Sequence, residues 1–139
     1  MPSGTTYKPT RVNDFEAAKL NFNAQGVSTT ITAGTTGNLD YTLSDDCLIT
    51  GAWMVSDGGQ FGDTASFQVV DTSGILAPAG TILNTFITNW IIPPNVDEQF
   101  DMAYPAKVCA GLTLRLVYTS TGSTDVPLAV NYKLHKVLV

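Results

Sequence analysis

Residues 112–138 have the sequence LTLRLVYTSTGSTDVPLAVNYKLHKVL, and this stretch decides the fold class. Large apolar side chains occupy every second position over residues 112–118 and again over residues 128–134. Alternation of period two is typical of β-strands that bury one face. The polar segment 121–125 between the two runs favours a turn, so the stretch predicts a half-buried antiparallel hairpin.

The rest of the chain predicts further short strands separated by turn signals. Residues 81–92 fit a helical stripe as well as a strand, but their β-branched and aromatic content favours the strand. The acidic segment 95–104 predicts a connection, and Pro105 predicts an edge or a turn. The remaining strand candidates are residues 27–32, 39–43, 47–55 and 65–70.

Short strands at regular spacing predict an all-β fold, which is a sandwich, a barrel or a jelly roll. This β-strand domain should comprise residues 27–139, and residues 1–26 should form an extended N-terminal arm with no core of its own. Four residues of that segment, Lys8, Arg11, Phe15 and Phe22, have no evident role inside the domain, and we predict that they bind a partner.

Composition argues against several classes of partner. The chain of 139 residues carries 12 acidic and 7 basic residues, for a net charge of −5. No cluster of Lys and Arg is present, which disfavours nucleic-acid binding. We also find neither a signal peptide nor an apolar run long enough for a membrane span, so synthesis in a cytosol without export or membrane association is expected.

Catalytic chemistry is not indicated. The single histidine, His135, lies between two lysines and is expected at the surface. Most carboxylates sit beside Gly, Ser or Pro, where Asp commonly caps its own turn. The loop 57–63 lacks the ligand pattern of a calcium loop, and we expect it to be a flexible tip. The sequence therefore predicts no enzyme, no catalytic residue, no cofactor and no metal site.

The two cysteines, Cys47 and Cys109, leave two interpretations open. Two small buried hydrophobic side chains are favoured, because unpaired cysteine usually behaves in that way. A disulfide formed after release from the cell is the alternative. Residues 47–55 are expected to be buried on both faces, and Trp53 and Trp90 are expected to be buried within apolar runs.

Six segments between residues 38 and 136 carry a resemblance to a known family, and they consist of strand and turn residues. They are 48–53 (LITGAW), 61–63 (FGD), 67–71 (FQVVD), 103–106 (AYPA), 111–115 (GLTLR) and 131–136 (NYKLHK). Together they resemble small structural proteins of tailed-phage virions, most closely the capsid decoration or cement proteins.

The resemblance implies that residues 27–139 form a jelly-roll-like antiparallel β-sandwich. It further implies a non-enzymatic protein that binds the outer surface of a phage capsid, contacts the major capsid protein and reinforces it. It also implies a homo-oligomer located in the virion. Unpaired sheet edges, including that of the hairpin near residue 139, make a homodimer more plausible than a trimer. The alternatives are a tail or neck protein and a carbohydrate-binding or receptor-binding module, the last disfavoured by the expected burial of Trp53 and Trp90.

Overall fold

A computed structural model describes residues 22–57, 59–60, 62–91 and 97–136. These residues form eight strands and no helix, which confirms the all-β prediction. No helix of this part of the chain is long and apolar enough to cross a membrane. The strands are β1 (Phe22–Ile31), β2 (Thr36–Thr42), β3 (Cys47–Ser56), β4 (Thr64–Asp71), β5 (Thr81–Ile91), β6 (Asp97–Val108), β7 (Thr113–Thr119) and β8 (Val126–Lys136).

The strands form two antiparallel sheets packed as a sandwich. The first sheet has the order β1-β8-β3-β6 and the second has the order β2-β7-β4-β5. Strand β1 pairs with β8, β2 with β7, β3 with β6 and β4 with β5, so the strands of the first half of the chain pair with those of the second half in reverse order. That arrangement is a jelly roll, so the predicted architecture is confirmed.

The predicted hairpin of residues 112–138 is wrong in its pairing. Strands β7 and β8 lie in different sheets, and β8 is an interior strand between β1 and β3. Both strands bury the expected side chains, including Leu116 and Tyr132, because they face one core from opposite sides. Alternation reports which face is buried, but it carries no information about the neighbouring strand.

Strand β3 is not buried on both faces. Its register shifts between Ile49 and Gly51, so side chains beyond the shift change faces. Ile49 and Met54 are buried, whereas Trp53 and Val55 are 39% and 41% exposed. The expected burial of Trp53 is therefore wrong, because β3 buries a single face and the register shift places Trp53 on the opposite one.

The acidic segment predicted as a connection is strand over its described part. Strand β6 begins at Asp97 and forms an edge of the first sheet. Residues 102–105 of β6 bulge opposite the single residue Thr50, and this bulge contains Pro105 and the exposed Tyr104. Pro105 thus lies in an edge strand, as predicted, because a bulge at an edge requires no ladder hydrogen bond from it.

Two other expectations concern the ends of elements. The ambiguous segment 81–92 is strand β5 through Ile91, so the strand interpretation is confirmed for that part. Strand β1 begins at Phe22 and pairs with β8 from there, so the first sheet extends into the segment predicted as the arm. Residues 1–21 lie outside the described residues, and the arm itself stays a prediction.

Candidate functional site

The described residues contain no group of three or more His, Cys, Asp or Glu side chains that could hold a metal ion. Two surfaces of the described part of the chain hold large apolar side chains exposed to solvent. One surrounds the loop between β4 and β5, and the other is the outer face of the first sheet.

The β4–β5 loop is organised by the buried carboxylate of Asp71. Its oxygens accept hydrogen bonds from the backbone N–H groups of Ile75, Leu76 and Ala77 at 2.8, 2.6 and 2.8 Å. Burial alone would raise the pKa of Asp71, but these hydrogen bonds outweigh it and hold the pKa below its usual value. Asp71 stays ionised and fixes the loop, which confirms for this residue the prediction of carboxylates as turn caps.

The loop fixed by Asp71 presents two large apolar side chains to solvent. Ile75 is 54% exposed and Leu76 is 66% exposed. Gly74 adopts a φ of 76°, in the left-handed region that favours glycine, and so directs the chain into this turn. Ile75 also packs over Gly111, where an added Cβ would lie 2.4 Å from its Cδ1 atom. The exposed pair is therefore held in place and is not a loose tip.

Leu76 also lines an apolar cleft between the edge strands β5 and β6, with a volume of about 210 Å³. We call this the β5–β6 cleft. The polar groups at the cleft are few, and Lys107 is the charged residue among them. The apolar lining residues are Val69, Leu76, Leu83, Phe86, Ala106, Val108 and Leu112, with Asn84, Lys107 and Cys109 beside them.

Cys109 at this cleft is exposed, whereas Cys47 is buried in β3. No disulfide joins them. The favoured interpretation of two buried thiols is therefore confirmed for Cys47 and wrong for Cys109. The chain turns out of β6 at Val108, and this turn places the next side chain at the surface.

A second buried carboxylate, Asp63, organises the loop that follows β3. It accepts hydrogen bonds from the Tyr118 hydroxyl at 2.7 Å, from the Thr121 N–H at 2.8 Å and hydroxyl at 2.9 Å, and from the Gln60 N–H at 3.1 Å. The expectation of a flexible tip at residues 57–63 is wrong at its C-terminal end, because these bonds tie Asp63 to β7 and to the loop after it.

Other carboxylates divide between turns and strands. Asp46 accepts a hydrogen bond from the Ala110 N–H, and Asp125 accepts one from the Ala33 N–H, in agreement with the predicted turn role. Asp101 does not follow that prediction, because it lies in β6 and pairs with Lys133 of β8 at 2.9 Å. None of these pairs brings two carboxylates together as a glycosidase site requires.

The outer face of the first sheet carries the second surface. Leu48, Trp53 and Val55 of β3 are exposed on it. Beside them runs a shallow groove with a volume of about 450 Å³. Its lining comes from β1, β3 and β8 and includes Ser28, Thr30, Val55, Pro127 and Ala129.

The structure does not test the partner-binding role predicted from sequence for four residues. Lys8, Arg11 and Phe15 lie outside the described residues. Phe22 is the first residue of β1, opposite His135, and only its backbone is described. Sequence reasoning missed Ile75 and Leu76. Their signal was an apolar pair inside a turn, between Gly74 and Pro78.

No protein-family model matches this sequence, and a search of curated proteins finds no significant match. Among solved structures, the chain is similar to a mitogen derived from Yersinia pseudotuberculosis, with a TM-score of 0.41, 10% identity and coverage of 84% of this chain and 90% of the mitogen. It is also similar to the infectious bursal disease virus VP2 subviral particle, with a TM-score of 0.39, 11% identity and coverage of 82% of this chain and 33% of the viral chain.

The Gx strain of infectious bursal disease virus gives nearly the same values, with a TM-score of 0.38, 11% identity and coverage of 82% and 32%. The chain thus spans about a third of the length of those viral chains. At these TM-scores and identities, the similarities carry no assignment of function.

Proposed function

We propose that this protein is a non-enzymatic structural component of a virion, which attaches to the outer surface of a phage capsid and reinforces contacts between major capsid protein subunits. The observation that carries the proposal is the rigid presentation of Ile75 and Leu76 in solvent beside the β5–β6 cleft. The capsid as the partner follows from the resemblance to decoration proteins and is part of the proposal.

An apolar partner surface fits this site better than a small polar substrate does. The cleft offers mostly aliphatic and aromatic lining, and Lys107 is the charged side chain beside it. Burying Leu76 or Ile75 against a partner should contribute about 1–2 kcal/mol each, since each is about half exposed or more. The buried Asp71 keeps the loop ordered before binding, so less conformational entropy is lost on attachment.

The test compares attachment of variants to heads purified from a phage that lacks this protein. Ile75→Ser combined with Leu76→Ser should weaken co-sedimentation with those heads by at least about tenfold, because two apolar anchors are removed. The matched control is Val55→Ser, an exposed apolar residue on the outer face of the first sheet, which should bind as the wild type does.

A second measurement tests reinforcement. Heads without the protein, and heads incubated with the double variant, should rupture at a lower temperature than heads carrying the wild type. Equal rupture temperatures for all three would contradict the reinforcing role. Electron microscopy of phage particles carrying the labelled protein should show the label on the head. Label on the tail or neck, with none on the head, would replace the capsid proposal with the tail or neck alternative.

One observation favours a second candidate, a carbohydrate-binding module. Trp53 is 39% exposed on the outer face of the first sheet, and Asn131 lies opposite it on β8. An exposed aromatic ring beside an amide is a common sugar platform, and jelly rolls serve as lectins. A glycan array that shows binding by the wild type and none by Trp53→Ala would support this candidate over the capsid role.

A further inference from the structure

Strand β1 differs from the other sheet edges in having no feature that blocks pairing. Among the described residues, it is the outer strand of the first sheet and pairs only with β8. Its ten residues pair with β8 in one continuous register, without a bulge. Its sequence, FNAQGVSTTI, contains no charged residue and no proline. A long, regular and uncharged edge is the kind that adds another strand.

The other three edges carry the usual protections. Strand β6 contains acidic residues, a bulge and Pro105. The register of β5 against β4 shifts at three places, which twists that edge. Strand β2 has seven residues and carries the charged pair of Asp40 with Arg115. Of the four sheet edges formed by the described residues, β1 alone lacks these protections.

We propose that β1 is a homodimer interface, in which β1 of one copy lies antiparallel to β1 of a second copy and joins their first sheets. A two-fold axis pairs β1 with the same strand of a second copy, so a charge near the axis would lie close to its own copy. The uncharged sequence of β1 removes that repulsion. Ser28, Thr29 and Thr30 are exposed and supply hydroxyl groups that can face each other across the axis.

Threonine pairs across strands are already used elsewhere in this molecule. Thr36 and Thr119 are joined through their hydroxyl groups at 3.0 Å, and Thr42 and Thr113 at 2.9 Å. The same chemistry between two copies of β1 would extend the sheet past its present edge. The shallow groove lined by Ser28 and Thr30 runs beside that edge, so side chains of the second copy would lie along it.

This interface is separate from the β5–β6 cleft, because β6 lies at the opposite edge of the first sheet from β1 and β5 lies in the second sheet. The dimer can therefore fail while attachment through Leu76 holds, and the reverse is also true. The proposal differs from the sequence-based expectation of a free edge near residue 139, because β8 is an interior strand.

The first experiment is sedimentation of the full chain at micromolar concentration. The wild type should sediment as a dimer, and Ser28→Lys combined with Thr30→Lys should weaken dimerisation by at least about tenfold, because it places like charges on both of the joined strands. The matched control is Ser123→Lys combined with Thr124→Lys, which makes the same substitutions in an exposed loop and should remain dimeric. Melting curves should show that both variants fold.

The second experiment maps the axis. Single cysteines are placed at each of residues 23–30 in a Cys109→Ser background and oxidised. Directly opposite residues in antiparallel strands have Cα atoms about 4.5–5.5 Å apart, which permits a disulfide, whereas residues one step from the axis are too far from their own copies. One position should therefore cross-link far more than its neighbours.

Two results would overturn the proposal. A monomeric wild type would do so, whether residues 1–21 or a strand of another protein then covers the edge. A dimer that is insensitive to both lysines and shows no preferred cross-linking position along β1 would place the interface elsewhere.

Discussion

At the scale of single residues, buried carboxylates fix the loops of this fold. The clearest case is Asp63, whose side chain is fully buried and accepts the hydroxyl hydrogen bond of Tyr118. Asp63→Ala should lower the free energy of unfolding by about 3 kcal/mol, because it leaves the buried Tyr118 hydroxyl without its acceptor. Tyr118→Phe, which removes the donor and keeps the ring, should cost about half as much. Denaturant titration measures both, and a cost below about 1 kcal/mol for Asp63→Ala would contradict this role.

The same carboxylate makes stability depend on pH. Burial alone would raise the pKa of Asp63, but hydrogen bonds from Tyr118, Thr121 and Gln60 outweigh it and hold the pKa below its usual value. The unfolded chain then binds this proton more readily, so the stabilisation is complete above the unfolded pKa of about 4 and is lost as pH falls through the folded value. Asp63→Asn should reduce the loss of unfolding free energy below about pH 4, and Asp71 should account for part of the loss that remains. If the free energy of unfolding falls with pH equally in the wild type and the variant, Asp63 is not the source of this pH dependence.

The two cysteines should differ in reactivity. Cys109 is exposed at the β5–β6 cleft, whereas Cys47 is buried and donates to the Asp45 carbonyl. A thiol reagent such as Ellman's should modify one thiol per native chain and both after denaturation, since reaction requires access to the sulfur. Cys109→Ser should abolish the native reaction. Fast modification of both thiols in the native protein would contradict the burial of Cys47.

At the scale of elements, the bulge in β3 decides which residues reach the surface. An added Cβ at Gly51 would lie 2.1 Å from the Phe100 carbonyl oxygen of β6. Backbone cannot move away cheaply, so Gly51→Ala should lower the free energy of unfolding by about 2 kcal/mol or more. Gly122→Ala is the matched control, because its Cβ would lie 2.2 Å from the Gln60 side chain, which can change rotamer. Equal destabilisation of the two variants would show that the approach of β6 is not what fixes the bulge.

Strand positions were predictable where alternation is local and unbroken. The faces of β7 and β8 followed from the apolar periodicity, because the core covers one face of each strand. Their neighbours did not, since pairing is set by contacts distant in sequence. The exposure of Trp53 could not be predicted, because it depends on a register shift in β3 between Ile49 and Gly51. The candidate site was not predicted, although Ile75 and Leu76 form an apolar pair inside a turn, because the exposure of that pair depends on backbone hydrogen bonds to Asp71.

At the scale of the whole molecule, one aromatic cluster joins the two sheets. Phe67 of β4 in the second sheet contacts Tyr132 of β8 and Phe100 of β6 in the first sheet, with ring centroids 5.5 and 6.1 Å apart. Its edge-to-face contact with Phe86 of β5 has a centroid distance of 5.0 Å. The Tyr132 hydroxyl also donates to the Leu39 carbonyl of β2, across the sandwich. The sheets should therefore unfold as one unit.

Phe67→Ala should lower the free energy of unfolding by about 3–5 kcal/mol, because it opens a cavity at the junction of both sheets. The matched control, Val117→Ala, truncates a partly exposed side chain on the outer face of β7 and should cost well under half as much.

Far-UV circular dichroism and tryptophan fluorescence should give one coincident denaturant transition in the wild type and in Phe67→Ala, since neither sheet retains a separate core. Separate transitions for the two probes in the wild type would mean that the sheets are stable independently, and Phe67 would then not be the residue that couples them.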